Sequence, residues 1–322
     1  MGLEINAARF MFYAKALDVD FSQSATIGRQ YLYLSESDLK KAMREFGYAP
    51  DEETIHSIFN KNNGYAEEFL RFLGAKDVHS FDISDYEGAT YLHDMNKGLP
   101  ERFKEKYTMV LDGGSLEHIF NLPTAMKNFM EMAQVGGHYI GLTLGNNFMG
   151  HGFYQPSHEL YFNVFTRANG FELVDVIASE DRRTSKWFAI KNPASARRRA
   201  TLTNTVPVFL FVVAKRVKKT AIFEPMPQQS SVLPVRRDED VLGDAAQTDL
   251  AQPDTERLSL LASIARHIPE PLKSTIRRML RYNYLMRRLL GYQYGFNPRF
   301  YQPIKPTERA QELKKTLGQK RN

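Results

Sequence analysis

Between residues 24 and 216, short apolar runs alternate with segments of helical periodicity, and this alternation constrains the fold more than any other feature of the chain. SATIGRQYLYL (24–34) reads as a short strand, a glycine turn and a further extended piece. SESDLKKAMREFG is a helix that Ser35 or Ser37 can cap and Gly47 stops, and DEETIHSIF is a second short helix. AEEFLRFLG (66–74) is helical, VHSFDIS (78–84) is a strand ending in Asp82, and ATYLHDMN (89–96) is a short strand ending in Asp94. The series continues with the strand YTMVLDG (107–113), a helix over 123–137 with a glycine stop, and the strand HYIGLTLG (138–145). A helix over 158–170 and the strand FELVDVIAS follow, and VPVFLFVVAKR (206–216) is expected to pair antiparallel with that strand. Strands that are apolar throughout and alternate with helices imply a parallel sheet covered on both faces. Ligands of such sheets lie outside the carboxyl ends of the strands, where Gly28, Asp82, Asp94 and Asp112 fall. A single acid after a strand is commonly a turn residue or a helix cap; three at successive strand ends suggest more.

At 322 residues the chain can bury a self-sufficient core. No stretch approaches the ~18 consecutive apolar residues of a membrane span. The N-terminal MGLEINAARFMFYAKAL lacks the basic region of a secretory signal, and Asn6 stands where myristoylation at Gly2 requires Ser or Thr. With no cysteine, disulfides and thiolate chemistry are excluded, and a reducing, cytoplasmic location is expected. Charge is uneven: residues 255–322 hold 15 Lys or Arg against four Glu, whereas the whole chain totals +6, so the body is net negative. Residues 1–223 therefore read as one α/β domain, 224–254 as a polar linker, and 255–322 as a basic helical extension. In that extension Leu272, Ile276, Leu280 and Tyr284 recur at helical spacing with arginines between them. Such a face is expected either to contact an anionic inner membrane surface or to pack on the body or on a second copy.

Gly28-Arg29-Gln30 follows the first strand, where a glycine lets the backbone approach a ligand, and a plain turn is the other reading. There is no GxGxxG and no GxxxxGK, so nucleotide hydrolysis is unsupported. Asp82 can accept both hydroxyls of a ribose, and Asp94 an exocyclic amine. In GHGFYQPS (150–157) His151 sits between glycines with Tyr154 and Gln155 nearby; it either orders the loop or acts as a general base near neutral pH. Glu117 and His118 are adjacent, and on a regular helix their side chains diverge by about 100°, so they form no ready-made chelate of the HExxH kind, and a metal held by Glu117, His118 and His151 is the lesser alternative. No GxSxG elbow supports a serine nucleophile.

The run FDISDYEGATYLHDMN…YTMVLDGGSLEHIFN…VGGHYI…NNFMGHGFYQPSHELYF resembles a group of bacterial proteins related to class I S-adenosylmethionine-dependent methyltransferases and associated with saccharide or cell-surface metabolism. The resemblance spans about residues 22–230, including PMPQQSS, and is most specific at DGGSLEHIFN and GHGFYQPS. It implies a Rossmann-like sheet of seven strands, mostly parallel with an antiparallel terminal strand. It places Gly28, Arg29, Gln30, Asp82, Ile83, Asp94, Met95, Asp112 and Gly113 at S-adenosylmethionine. Glu117, His118, His151 and Tyr154 then fall at the acceptor, with an imidazole removing a proton from a hydroxyl of a saccharide or other polar small molecule, in one variant lipid-linked. The chain departs from the family in one respect: Gly28 and Asp82 are 54 residues apart, and Asn63-Gly64 falls between them as a second source of loop glycine. A non-catalytic binding module on the same fold is the alternative. A nucleic-acid substrate is not expected, because no NPPY-type site occurs and the body is acidic.

Overall fold

The computed structural model describes residues 2–183, 185–196, 200, 202–230, 269–272, 274–275 and 295–319. The expected linker beyond residue 230 and the helical face of Ile276, Leu280 and Tyr284 lie outside the described residues. The strands are β1 (Gly2–Leu3), β2 (Gln23–Ile27), β3 (Tyr31–Leu32), β4 (Asp77–Asp82), β5 (Tyr91–Leu92), β6 (Tyr107–Asp112) and β7 (Ala133–Asn146). They continue as β8 (Phe171–Glu180), β9 (Trp187–Ile190), β10 (Leu202–Thr203), β11 (Val208–Arg216), β12 (Gly295–Phe296) and β13 (Tyr301–Ile304). The helices are α1 (Ile5–Ala16), α2 (Glu36–Glu45), α3 (Glu52–Asn60), α4 (Glu67–Phe72), α5 (Leu122–Met132), α6 (His158–Val164), α7 (Pro193–Ala196) and α8 (Pro306–Gln319).

Nine strands form one sheet in the order β13-β9-β8-β11-β7-β6-β2-β4-β5. From β5 to β7 the neighbours are parallel, whereas β11 is antiparallel to both β7 and β8. The seven strands from β5 to β8 are those of the class I methyltransferase sheet. Two further antiparallel strands, β9 and β13, extend it at the β8 edge. Successive strand residues go to opposite cores, as a period of two requires. Met109, Leu111, Ile140, Leu142, Phe211 and Val213 join α1 to α4 and α8 on one face. Val110, Tyr139, Leu210 and Val212 join α5 and α6 on the other.

The caps follow the sequence signals. The Ser35 side chain accepts from the Asp38 amide at the start of α2, and Gly47 ends it at φ +82°. Asp51 accepts from the Thr54 amide at the start of α3. Three boundaries differ from expectation. The helix over 123–137 stops at Met132, because residues 133–137 already belong to β7: Ala133 pairs with Tyr107, and Gly136 (φ +90°) and Gly137 form an irregular entry to the strand. A side chain at Gly137 would meet the Tyr107 carbonyl at 2.7 Å, so these glycines make a bulge and not a helix stop. The helix from 158 ends at Val164 in a turn closed by Gly170. The strand over 89–96 shortens to Tyr91–Leu92, since Asp94 and Asn96 fold into a side-chain-capped turn.

The pattern assigns no element to residues 1–23, yet α1 forms there and is buried almost all round, from Asn6 to Ala14. A helix enclosed on every side shows no polar stripe, so its periodicity is invisible. The tail is part of the body at residues 295–319. β13 pairs with β9, and α8 lies against α1, where Arg309 binds Asp175 and Lys314 binds Asp18. Among the described residues no helix is long and apolar enough to cross a membrane.

Candidate active site at the carboxyl edge of the sheet

The chain leaves β2 toward β4 and β5 on one side and returns across the sheet to β6 on the other. The strand order therefore reverses between β2 and β6, and the carboxyl ends of the strands at such a reversal are where open α/β sheets bind their ligands. Gly28 sits at this point with φ +72°, and its N–H donates to the Phe81 carbonyl at 2.7 Å, which ties the β2 turn to β4. Ser115 Oγ donates to the Ile27 carbonyl at 2.6 Å and ties the same turn to the loop after β6.

Several residues expected at the cofactor are engaged by the protein itself. Arg29 Nε lies 2.6 Å from Glu67 Oε1, Nη1 donates to the Glu87 carbonyl, and the guanidinium covers the Tyr65 ring at 3.9 Å. The Gln30 amide is buried and donates to the Ile27 carbonyl at 2.9 Å. A Cβ at Gly113 would stand 2.3 Å from Gln30 Oε1, so the room that Gly113 leaves is filled by Gln30. Met95 is packed in the core, where its carbonyl accepts from Asn128. Asp112 has no accessible surface: Oδ1 accepts from the Ser115 and Leu116 amides at 2.8 and 3.2 Å, and Oδ2 from Tyr139 Oη at 3.1 Å. It acts as the cap of the turn that carries Glu117 and His118. Asn63-Gly64 packs on Tyr31, and the Gly64 carbonyl accepts from Leu32. Asp94 accepts from the Asn96 amide and side chain, which hold its carboxyl below the usual range.

What remains open to a ligand is narrower. Asp82 is half-buried; its Oδ1 accepts from the Ser84 amide at 3.1 Å, and among the described residues Oδ2 has no hydrogen-bond partner. Ile83 is exposed beside it. Gln30 Oε1, by contrast, is enclosed against Gly113 and, among the described residues, has no hydrogen-bond partner. A half-buried carboxylate with a free oxygen fits the diol of a nucleoside.

The corner around Glu117 and His118 is built from two loops. Leu116–His118 make a single 3-10 turn that ends at Ile119 in extended backbone. The segment after β7 folds back over it. Asn147 (φ +62°) anchors that segment through Asn204 and Val206, and the Phe148 N–H donates to Gln155 Oε1 at 2.7 Å. The Phe153 N–H donates to the Glu117 carbonyl at 2.7 Å, and Tyr154 Oη to the Phe120 carbonyl at 2.7 Å. Tyr154 thus fastens the loop. Gly152 (φ +74°) passes so close that a Cβ would lie 2.7 Å from the Glu117 carbonyl oxygen. This docking brings His151 to His118, ring centroids 5.0 Å apart. One ligand-capable atom from each of Glu117, His118 and His151 lies within 4.8 Å of the others, contrary to the divergence expected on a regular helix.

The electrostatics of this corner are unusual. Glu117 is only 1% exposed, and among the described residues its one side-chain hydrogen-bond partner is Thr143 Oγ1 at 3.5 Å. Burial, with Asp112 adding repulsion, pushes its carboxyl up to about 8, and burial also raises Asp112. Both His118 and His151 are exposed; partial desolvation, and then His151, lower the His118 pKa. Sequence reasoning missed Tyr139, Gly141 and Thr143, which alternate along one face of β7. Gly141 is required there, because a Cβ would meet Tyr139 Oη at 2.7 Å on its way to Asp112.

No family model matches the chain, and no curated protein does. Solved structures do. A Burkholderia thailandensis 1,6-didemethyltoxoflavin-N1-methyltransferase with bound 1,6-didemethyltoxoflavin and S-adenosylhomocysteine matches with 11% identity over 66% of this chain and 78% of that one, TM-score 0.34. TehB from Haemophilus influenzae matches with 12% identity over 56% of this chain and 66% of that one, TM-score 0.31. The branched-chain polyamine synthase of Thermus thermophilus, in complex with N4-aminopropylspermidine and 5'-methylthioadenosine, matches with 12% identity over 67% and 57%, TM-score 0.35. All three scores are low, and the fold assignment rests on the strand order.

Proposed function

We propose that the protein is an S-adenosylmethionine-dependent methyltransferase acting on a hydroxyl of a saccharide or similar polar small molecule. The observation that carries this reading is one of placement. The strand order reverses between β2 and β6, Asp82 ends the neighbouring strand β4, and Glu117, His118 and His151 come together in the loops that follow β6 and β7, which supports a ligand site at this edge of the sheet. The cofactor, when bound, supplies an already activated methyl group, so the protein has only to align an oxygen and take its proton. Asp82 is assigned to binding. In the ion-free protein, His118 and His151 are the bases; among the described residues their ring nitrogens make no hydrogen bond, and both rings reach solvent. Phe120 and Phe153, exposed with rings 5.6 Å apart, and the exposed Met149 rim this corner and suit an acceptor with an apolar part, such as a lipid-linked sugar.

Calorimetric titration with S-adenosylmethionine and S-adenosylhomocysteine tests the reading. Binding is expected, weakened about tenfold in Asp82→Ala by loss of charge-assisted hydrogen bonds. No heat with either ligand would sink it and leave a second reading, a non-catalytic binding module. That alternative is favoured by one observation: Gln30 already fills the room at Gly113. Contact of the basic extension with an anionic membrane is proposed for residues 255–294 alone, because 295–319 is docked on the body. Equal sedimentation of the chain with anionic and neutral vesicles would exclude it.

A further inference from the structure

We propose that Glu117, His118 and His151 form a binding site for a divalent transition-metal ion of the zinc class. The three donors are two imidazole nitrogens and a carboxylate oxygen, the set that borderline divalent cations take up with positions left open for water or substrate. Their atoms already lie within 4.8 Å of one another, and side-chain rotation closes that to the ~3.3 Å edge of a tetrahedron with ~2.0 Å bonds.

Three independent observations point to a cation. First, the Glu117 carboxyl group is buried beside two exposed imidazoles, and among the described residues it makes no ion pair with Lys or Arg. A buried carboxylate without a cation is costly, and a metal ion is one way of compensating it. Second, among the described residues neither imidazole spends a ring nitrogen on a hydrogen bond, although the rings lie 5.0 Å apart. Third, the loop that delivers His151 is fixed to the other two donors. The Phe153 N–H holds the Glu117 carbonyl, Gly152 passes against it, and Tyr154 Oη holds Phe120. Thr143 Oγ1 stands behind Glu117 at 3.5 Å, where it can orient the carboxylate.

The binding site stands on geometry alone; its role rests on the methyl-transfer reading. There the ion holds the acceptor oxygen and lowers the pKa of its hydroxyl, and the proton goes to bulk water. The oxygen then takes the methyl group as the sulfonium leaves as a thioether, and the imidazoles serve as ligands instead of bases.

The test uses the tag-free full chain, stripped with EDTA and titrated with Co²⁺ under visible absorption and with Zn²⁺ in a calorimeter. One equivalent of each is expected to bind, with d–d bands for Co²⁺ and no heat with Mg²⁺. His118→Ala and His151→Ala should each weaken Zn²⁺ by about 100-fold and Glu117→Gln by about tenfold. His56→Ala, on α3 and outside the three-donor cluster, should leave binding unchanged. Trp187 fluorescence confirms that each variant is folded. Absence of stoichiometric binding, or binding unchanged in both His118→Ala and His151→Ala, overturns the site. Because this readout needs neither cofactor nor turnover, it is separate from the titrations that test methyl transfer.

Discussion

Replacing Arg309 by methionine probes how firmly α8 is joined to the body. Its Nε and Nη2 donate to Asp175 Oδ2 and Oδ1 at 3.1 and 3.3 Å, and Tyr13 Oη donates to Asp175 Oδ2 at 2.7 Å. The Asp175 side chain is 5% exposed and that of Arg309 23%. Arg309→Met keeps much of the stem's bulk and, among the described residues, leaves the carboxylate with only the Tyr13 hydroxyl and the Val176 N–H. Removing one partner of a buried pair costs about 3–5 kcal/mol. Since part of Arg309 reaches water, solvent can follow the deletion, which reduces the expected loss to about 2–3 kcal/mol. The Lys314–Asp18 pair, made from the same helix, is shorter, 2.7 Å, but its side chains are 44% and 71% exposed. Lys314→Met should therefore cost less than about 0.5 kcal/mol. Trp187, the chain's single tryptophan, is buried with its ring 5.7 Å from Tyr13, beside this network, so its fluorescence reports the urea transition. Equal midpoint shifts for the two variants would refute the reasoning. So would a double-mutant cycle with Asp175→Asn showing coupling below about 0.5 kcal/mol.

In the metal-free protein Glu117 is raised to about 8, so the folded chain holds a proton that the unfolded chain releases. Its contribution to stability is complete below about 4.5 and is lost as pH rises through about 8; unfolding free energy measured from about pH 5 to 9 should fall, and fall less in Glu117→Gln. Parallel slopes would remove the buried-proton argument. Gly152→Ala sets a methyl group 2.7 Å from the Glu117 carbonyl at positive φ and should cost about 1–2 kcal/mol; an unchanged urea midpoint would mean that the loop is not tied there. Tyr139→Phe strips Asp112 Oδ2 of its donor, with an expected loss of about 1–2 kcal/mol in chemical denaturation, and no loss would show the bond to be without net value.

Where local chemistry decides structure, the residues are readable. Ser35, Gly47 and Asp51 mark helix ends, and the alternation of apolar runs implies the parallel sheet with β11 turned antiparallel. Where tertiary contact decides, they are not. α1 hides because it is enclosed, Gly136-Gly137 imitate a helix stop while forming the irregular entry to β7, and YQPI has no signal of its own before it meets β9. The site divides in the same way. Its place at the strand ends is legible from Gly28, Asp82 and the EH pair. The filling of Gly113's room by Gln30 and the meeting of His118 with His151 depend on loops whose docking is set by Gly152 and Asn147.

The ninth strand also gives the molecule a history in time. Ile190 and Tyr301 are sheet partners, yet roughly 110 residues of chain separate them, so their pairing closes a long loop and gains nothing until the rest of the sheet exists. During folding β9 must wait with an unpaired edge, the kind of template that captures strands of other molecules. Refolding should therefore lose more material to aggregation as concentration rises than native stability alone would suggest. Amides of β9 and β13 should be the first of the sheet to exchange with deuterium and the last to become protected.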